Sequence, residues 1–139
     1  MAITQAMPTS FKEELLKKEH DLDTDTFKIA LYTSSATLGA TTTAYSATNE
    51  VSGTGYTAGG ATLASAAITT SGTTAFADFA DPSWTSSSFT ANGALIYNSS
   101  ASNKAVAVIA FGGDFTVTTG TFTIVFPAAD ASNALIRIA

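Results

Sequence analysis

The chain has 139 residues, 45% of them hydrophobic and only 12% charged, with a formal net charge of -5. One domain with a buried core is expected at this length. Six lysines and arginines in an acidic chain are too few for the cation clusters that bind nucleic acid, and the absence of cysteine excludes disulfide frameworks, cysteine-ligated zinc and thiol catalysis.

The charges crowd the beginning, from Lys12, Glu13 and Glu14 through Lys17, Lys18, Glu19 and the acids of "DLDTDT" to Lys28. From Ile29 to Asn103 only Glu50, Asp78 and Asp81 are charged. "MAITQAMPTSFKEELL" has neither the basic segment nor the apolar run of a signal peptide. No stretch approaches the roughly twenty apolar residues of a membrane helix. The sequence predicts one short helix here. Thr9 or Ser10 is its expected N-cap, with Glu13 completing a capping box. Phe11, Leu15 and Leu16 form an apolar stripe that should bury against the rest of the chain or a neighbouring subunit. "DLDTDT" ends the helix, because its acids and threonines offer side-chain bonds to the backbone. His20, the single histidine, reads as a solvated residue, with nothing placing a Ser and an Asp beside it.

Strands follow. "FKIALYT" alternates Phe27, Ile29 and Leu31 with Lys28, Ala30 and Tyr32, the period of a half-buried strand. In "NEVSGTGYTAGG", Gly53, Gly55 and Ala58 fit G-x-G-x-x-A, and Asp78 stands about twenty residues on. A dinucleotide site also needs a hydrophobic strand before the glycines and a helix after them. "TLGATTTAYSATNEVS" and "GGATLASAAITT" supply neither. The loop therefore reads as one needing positive φ at several glycines, with Tyr56 packed as an aromatic plug.

Between Ala61 and Phe79 two weaker strands are expected, broken at Ser71-Gly72. Asp78 and Asp81 read as caps of a turn before Pro82; two carboxylates are too few for a calcium loop. Trp84 with Phe76, Phe79 and Phe89 reads as core or subunit contact rather than a sugar platform. "GALIYNS" and "AVAVIAF" are apolar runs of central strands buried on both faces, and Asn98 in "NSS" matches the glycosylation pattern. "DFTVTTGTFTIVFP" predicts a hairpin turning at Thr119-Gly120 and ending at Pro127. "ALIRIA" is a last strand. Seven or eight short strands give an all-β fold, a β-sandwich or jelly roll with one short N-terminal α-helix. Residues 1–25 form an arm and helix; residues 26–139 form a single β-sandwich domain.

"SFKEELL", "FKIALYTSSATL", "TNEVSGTGYTAGG", "FTANGALIYN", "TIVFP" and "ALIRI" resemble a family of small virion structural proteins of tailed bacteriophages, over nearly the whole chain. The resemblance implies a non-enzymatic particle component with no cofactor and no metal, assembled in the bacterial cytoplasm and carried in the virion. A capsid decoration (cement) protein is the first expectation: a homo-oligomer, with a trimer favoured, whose partner is the major capsid protein or another virion protein. A tail or fibre protein contacting the tail tube or host sugars is the second. The interface residues expected from this reading are Phe11, Leu15, Leu16, Tyr56, Trp84, Asn92 and Ala110. The chain departs from the family pattern at Asn92 and Ala110, usually Arg and Asp, and at Lys18 and Glu19. The joint loss of an Arg and an Asp suggests that Asn92 and Ala110 lie on adjacent strands, or meet across an interface, on one face.

Overall fold

The computed structural model describes residues 2–64 and 66–139. Ser65, inside the stretch read as weaker strands, lies outside the described residues. The elements are α1 (Thr9–Leu16), β1 (Phe27–Tyr32), β2 (Ala61–Thr62), β3 (Ala67–Ser71), β4 (Thr74–Asp78), β5 (Ser83–Asn98), β6 (Lys104–Thr123) and β7 (Ile136–Ile138). The fold is all-β with one short helix. Its two antiparallel sheets have the orders β2-β1-β5-β6 and β3-β4-β7.

The two sheets share one core. Phe27, Ile29, Ala94, Ile96 and Val106 of the larger sheet meet Ala77 and Ile136 of the smaller one, and the Phe27 and Phe79 rings lie 5.6 Å apart. The larger sheet is covered on its other face too. There Ala30, Tyr32, Leu95, Tyr97 and Val108 pack against Ala36, Ile3, Leu38 and Tyr45. This second cover corrects the reading of β1 as half-buried: apart from Lys28, every residue from Phe27 to Tyr32 is buried. It also accounts for "GALIYN", buried from Gly93 to Asn98.

β5 and β6 are far longer than the other strands. A twenty-residue strand spans roughly 65 Å if straight, and a five-residue strand roughly 17 Å. The small sheet therefore covers only one end of the β5–β6 ribbon. The hairpin expected at Thr119-Gly120 does not form. Ser87 pairs with Gly120 and Trp84 with Phe122, so the chain runs on beside β5. Thr119 does adopt a left-handed φ of 45°, but as part of a bulge opposite Ser88, and its N–H donates to Ser88 Oγ at 2.9 Å. The strand ends at Thr123, short of Pro127, where Ile124 N–H turns to the Pro82 carbonyl and Phe126 N–H to Asp81 Oδ1. Asp81 thus ties down the segment after β6 rather than capping its own turn. The real hairpin turn joins β5 to β6, with Ser102 and Asn103 at positive φ.

The helix cap lies one residue before Thr9 and two before Ser10. Pro8 is its N-cap and no side chain caps it. The Ala40 carbonyl accepts the Thr9 N–H at 2.9 Å, and Ser10 Oγ reaches the Thr42 carbonyl, so loop backbone replaces the capping box. The apolar stripe divides. Phe11 is fully buried in the shared core, Leu15 is half-buried, and Leu16 is 92% exposed. Lys17 and Lys18 close the helix, and "DLDTDT" forms the expected turn, with Asp21 Oδ1 accepting from the N–H groups of Asp23 and Thr24.

Leu16→Ala is therefore expected to change stability by less than about 0.5 kcal/mol, as exposed substitutions do. Leu15→Ala should fall below the roughly 2–5 kcal/mol of a fully buried leucine. Melting temperatures of the two variants check this; equal, large losses would place both side chains in a core.

Candidate functional site

Three clusters hold the chemically interesting side chains. The glycine loop is the first. Gly55, Gly59 and Gly60 have positive φ, as expected, whereas Gly53 does not. The loop is anchored by Glu50. Its Oε1 accepts from the Tyr45 hydroxyl at 2.7 Å, and its Oε2 accepts from the Tyr56 hydroxyl at 2.5 Å and from Gly59 N–H at 2.8 Å. The Tyr56 hydroxyl oxygen also accepts the Leu31 N–H at 2.9 Å, which fixes the loop to β1. Tyr97 donates to the Gly59 carbonyl at 2.6 Å and stacks on Tyr45 at 4.7 Å. Tyr32 donates to the Ser46 carbonyl at 2.7 Å. All four tyrosines of the chain thus serve one loop system. Gly59 N–H is spent on Glu50 and Gly60 N–H on the Thr57 carbonyl. The loop is bound to protein and leads into β2, not into a helix.

Burial, with the Glu50 carboxylate secondary, pushes the tyrosine hydroxyls above their ordinary range. The folded state holds protons that the unfolded chain releases. Stability from these groups is therefore complete below the ordinary tyrosine range near pH 10 and is lost as pH rises beyond it. Ultraviolet absorbance should show little tyrosinate until the protein unfolds in alkali, and then a joint rise. Independent ionisation near pH 10, with the fold intact, would contradict this packing.

The second cluster surrounds His20. The residue is buried, contrary to its reading as a solvated histidine, because Phe11 packs on its ring at 4.9 Å. Asn98 Nδ2 donates to Asp25 Oδ2 at 2.7 Å, and Asn98 Oδ1 accepts from Ser100 N–H at 2.9 Å. These two bonds fix the amide orientation. The same Nδ2 faces His20 Nδ1 at 3.0 Å, so Nδ1 accepts, and Nε2–H donates to Glu14 Oε1 at 2.9 Å. The line Glu14, His20, Asn98, Asp25 clips the helix and the following turn to the end of β5. Asn98 is fully buried, so a glycan cannot be carried there in this fold.

The third cluster is an aromatic row on the β5–β6 ribbon. Tyr56 contacts Trp84 and Phe89; both contact Phe122; Phe111 contacts Phe122 and Phe115. Trp84, Phe76, Phe79 and Phe89 are all buried, which places them in the core and leaves no sugar platform. The row emerges at Phe115, 53% exposed. There Ile109, Phe111, Phe115, Phe122, Thr123, Ile124 and Val125 line an open, mostly apolar cleft of about 270 Å³.

Of the seven expected interface residues, Phe11, Tyr56 and Trp84 serve the internal core, and Leu15 is half-spent on it. Asn92 and Ala110 lie on adjacent strands, one step apart, since Ala110 pairs with Gly93. Adjacent strands are as expected, and within the chain the hydrogen-bond partner of Asn92 is a third residue. The ladder jumps from Ala91–Phe115 to Gly93–Ala110, so residues 111–114 bulge out opposite Asn92, and Asn92 Nδ2 donates to Asp114 Oδ1 at 2.9 Å. The cleft, with Phe115 and Val125, draws its residues from both sides of the 111–114 bulge; Gly112-Gly113, with Gly112 at a φ of 81°, is the one local signal of that bulge.

Among the described residues no group of three or more His, Asp or Glu is placed to hold a metal ion, and no helix is long and apolar enough to cross a membrane. Asp78 Oδ1 is buried without a partner, at the end of β4. Comparison of the chain with family models, curated proteins and solved structures finds no match.

Proposed function

We propose that the protein is a non-enzymatic structural component of a tailed-phage virion, a decoration (cement) protein that binds the head in many copies and clamps its neighbours. The observation that carries this reading is the far half of the β5–β6 ribbon. The near half of the β6 edge is covered: Thr43 and Ala44 meet Lys104 and Ala105, and Ala6 exchanges two backbone bonds with Val108. Beyond Phe111 no main-chain partner covers that edge among the described residues, and the apolar cleft opens beside it. An unpaired edge flanked by exposed apolar surface is a contact surface. A body with three charges between Ile29 and Asn103 suits repeated protein–protein contact, because interface cores are depleted of charge.

Assembly in the bacterial cytoplasm and residence in the virion follow from this reading. A cryo-EM map of native particles tests it. Density for this fold on the outer capsid surface is the expected result. Density on the tail would assign the protein to tail or fibre instead. Its absence from purified particles would refute the virion reading altogether.

A further inference from the structure

The open edge of β6 carries a nearly palindromic sequence. From Phe115 to Phe122 it reads F-T-V-T-T-G-T-F, and reversal changes it only by exchanging Val117 and Gly120. We propose that two copies of the chain pair through this edge, antiparallel about a two-fold axis, with Phe115 of each opposite Phe122 of the other. The inference rests on the contact surface of the virion reading and names its occupant, the same segment of a second copy.

Three observations select that occupant. The first is the match of faces. An antiparallel strand meets its own sequence reversed, and residues directly opposite share a face. In this register like meets like. Phe115 and Phe122 both line the cleft, and Thr116 and Thr121 are both exposed. Val117 and Gly120 stand on one face, since a Cβ on Gly120 would lie 3.4 Å from Val117 Cγ2. Each valine therefore stands where the opposite glycine leaves room. The local twist matches as well. Thr119, at a φ of 45°, belongs to a bulge, which adds twist at one step of the strand. A second copy has that twist at the same step, and a regular strand does not.

The second observation is the shortness of every other edge. The remaining edge strands β2, β3 and β7 have two, five and three residues. The β6 segment spans roughly 26 Å and gives about eight backbone bonds when paired with itself. The third is charge. The chain carries a net charge of -5, yet nothing from Phe115 to Phe122 is charged. Asp114 and Asp81 flank the segment, Asp114 before Phe115 and Asp81 at the Phe126 N–H. The two copies of Asp114 would stand at opposite ends of the pair, roughly 30 Å apart, beyond the screening length at physiological salt. What repulsion there is comes from acids at the ends, so salt should strengthen the pair.

The same near-symmetry underlies the hairpin expected at Thr119-Gly120. The two halves are complementary, but they run on as one strand beside β5 and cannot fold onto each other. A second chain supplies the partner, as in exchanged elements generally. The β5–β6 ribbon becomes four strands wide, its open edge is closed, and Phe115, 53% exposed, packs against the partner copy. The unit is a two-fold dimer, in place of the trimer that the resemblance favours.

The test is sedimentation velocity of the full chain from about 10 µM to about 1 mM, the span of modest affinities. The wild-type chain is expected to form dimers and stop there, because an isologous contact closes on itself. Thr116 and Thr121 take the deciding substitutions, since both are exposed and face each other in the pair. Thr116→Lys with Thr121→Lys sets like charges opposite each other twice, and should weaken dimerisation by about tenfold or more. Thr116→Lys with Thr121→Glu sets opposite charges there instead, and should dimerise at least as well as the wild type. Circular dichroism and melting of both variants should match the wild type, as for other exposed substitutions. A wild-type chain that stays monomeric, or that grows beyond dimers, overturns the inference. So does association that salt weakens, a double-lysine variant that dimerises like the wild type, or a lysine–glutamate variant no stronger than the double-lysine one. The virion reading is judged separately, by the particle map: a monomeric chain found on particles defeats only the self-paired edge.

Discussion

Gly60→Ala should cost about 2–5 kcal/mol, a large share of the stability of a domain this size. Two effects add. Gly60 has a φ of +81°, where an L-residue loses roughly 1–2 kcal/mol. Its new Cβ would also lie 1.8 Å from the Ile29 carbonyl oxygen and 2.8 Å from Ala30 Cα. Those atoms belong to β1, which is buried on both faces, so the strand cannot step aside without disturbing its pairing with β5. The loop must move instead, and β2, which pairs with Lys28 and Ile29 immediately after Gly60, would go with it. Gly72→Ala is the control. Gly72 also has positive φ, +60°, but a Cβ there meets nothing within 4 Å. It should show the conformational cost alone, about 1–2 kcal/mol. Urea midpoints of both variants measure the difference; equal losses would mean that the close approach of loop and strand does not exist in solution.

That approach answers what the glycines of "NEVSGTGYTAGG" are for. The sequence showed that they could not cradle a phosphate, because no strand precedes them and no helix follows. It did not show that Glu50 would gather Tyr45, Tyr56 and Gly59, since one acid among threonines has no signature. The same limit recurs along the chain. Alternation located β1, and apolar runs located the inner ends of β5 and β6, because those signals are local. Burial of β1 on both faces was not legible: its second cover comes from Ile3, Leu38 and Tyr45, segments with no regular structure of their own. Thr119-Gly120 misled because a bulge and a hairpin turn both ask for positive φ; only pairing with Ser87, 33 positions upstream, tells them apart. The outer half of β5, "SWTSSSFTAN", has a serine and threonine content that resembles a loop. His20 read as solvated because the groups that bury and bond it, Phe11 and Asn98, are invisible from its neighbours in sequence.

The His20 clip gives the second large effect expected. Asn98 is fully buried and makes three bonds that no other residue can replace: amide to Asp25, amide to His20 Nδ1, and carbonyl from Ser100 N–H. In Asn98→Ala the histidine acceptor loses its donor, and Asp25 Oδ2 is left with the Asp21 N–H alone. A buried polar group left unsatisfied costs about 1–3 kcal/mol, and more when charged, so a loss of about 2–5 kcal/mol is expected. Asn98→Asp keeps the shape and separates packing from hydrogen bonding. Its carboxylate would face Asp25 at the distance of the present 2.7 Å bond, and two carboxylates at one site cannot both ionise cheaply. One must hold its proton in the folded state, so its folded pKa stands above the unfolded value. By linkage, the penalty is then absent below the carboxylate range, near pH 4, and grows as pH rises above it. Denaturant unfolding of the wild type, Asn98→Ala and Asn98→Asp near pH 4 and pH 7 should therefore give a loss that changes little for the alanine variant and deepens with pH for the aspartate variant. Helix α1 and the turn after it should loosen first in both, since Glu14, His20 and Asp25 all reach β5 through this one amide. Uniform hydrogen exchange across the chain, with no early opening at residues 9–25, would show that the clip does not hold the helix.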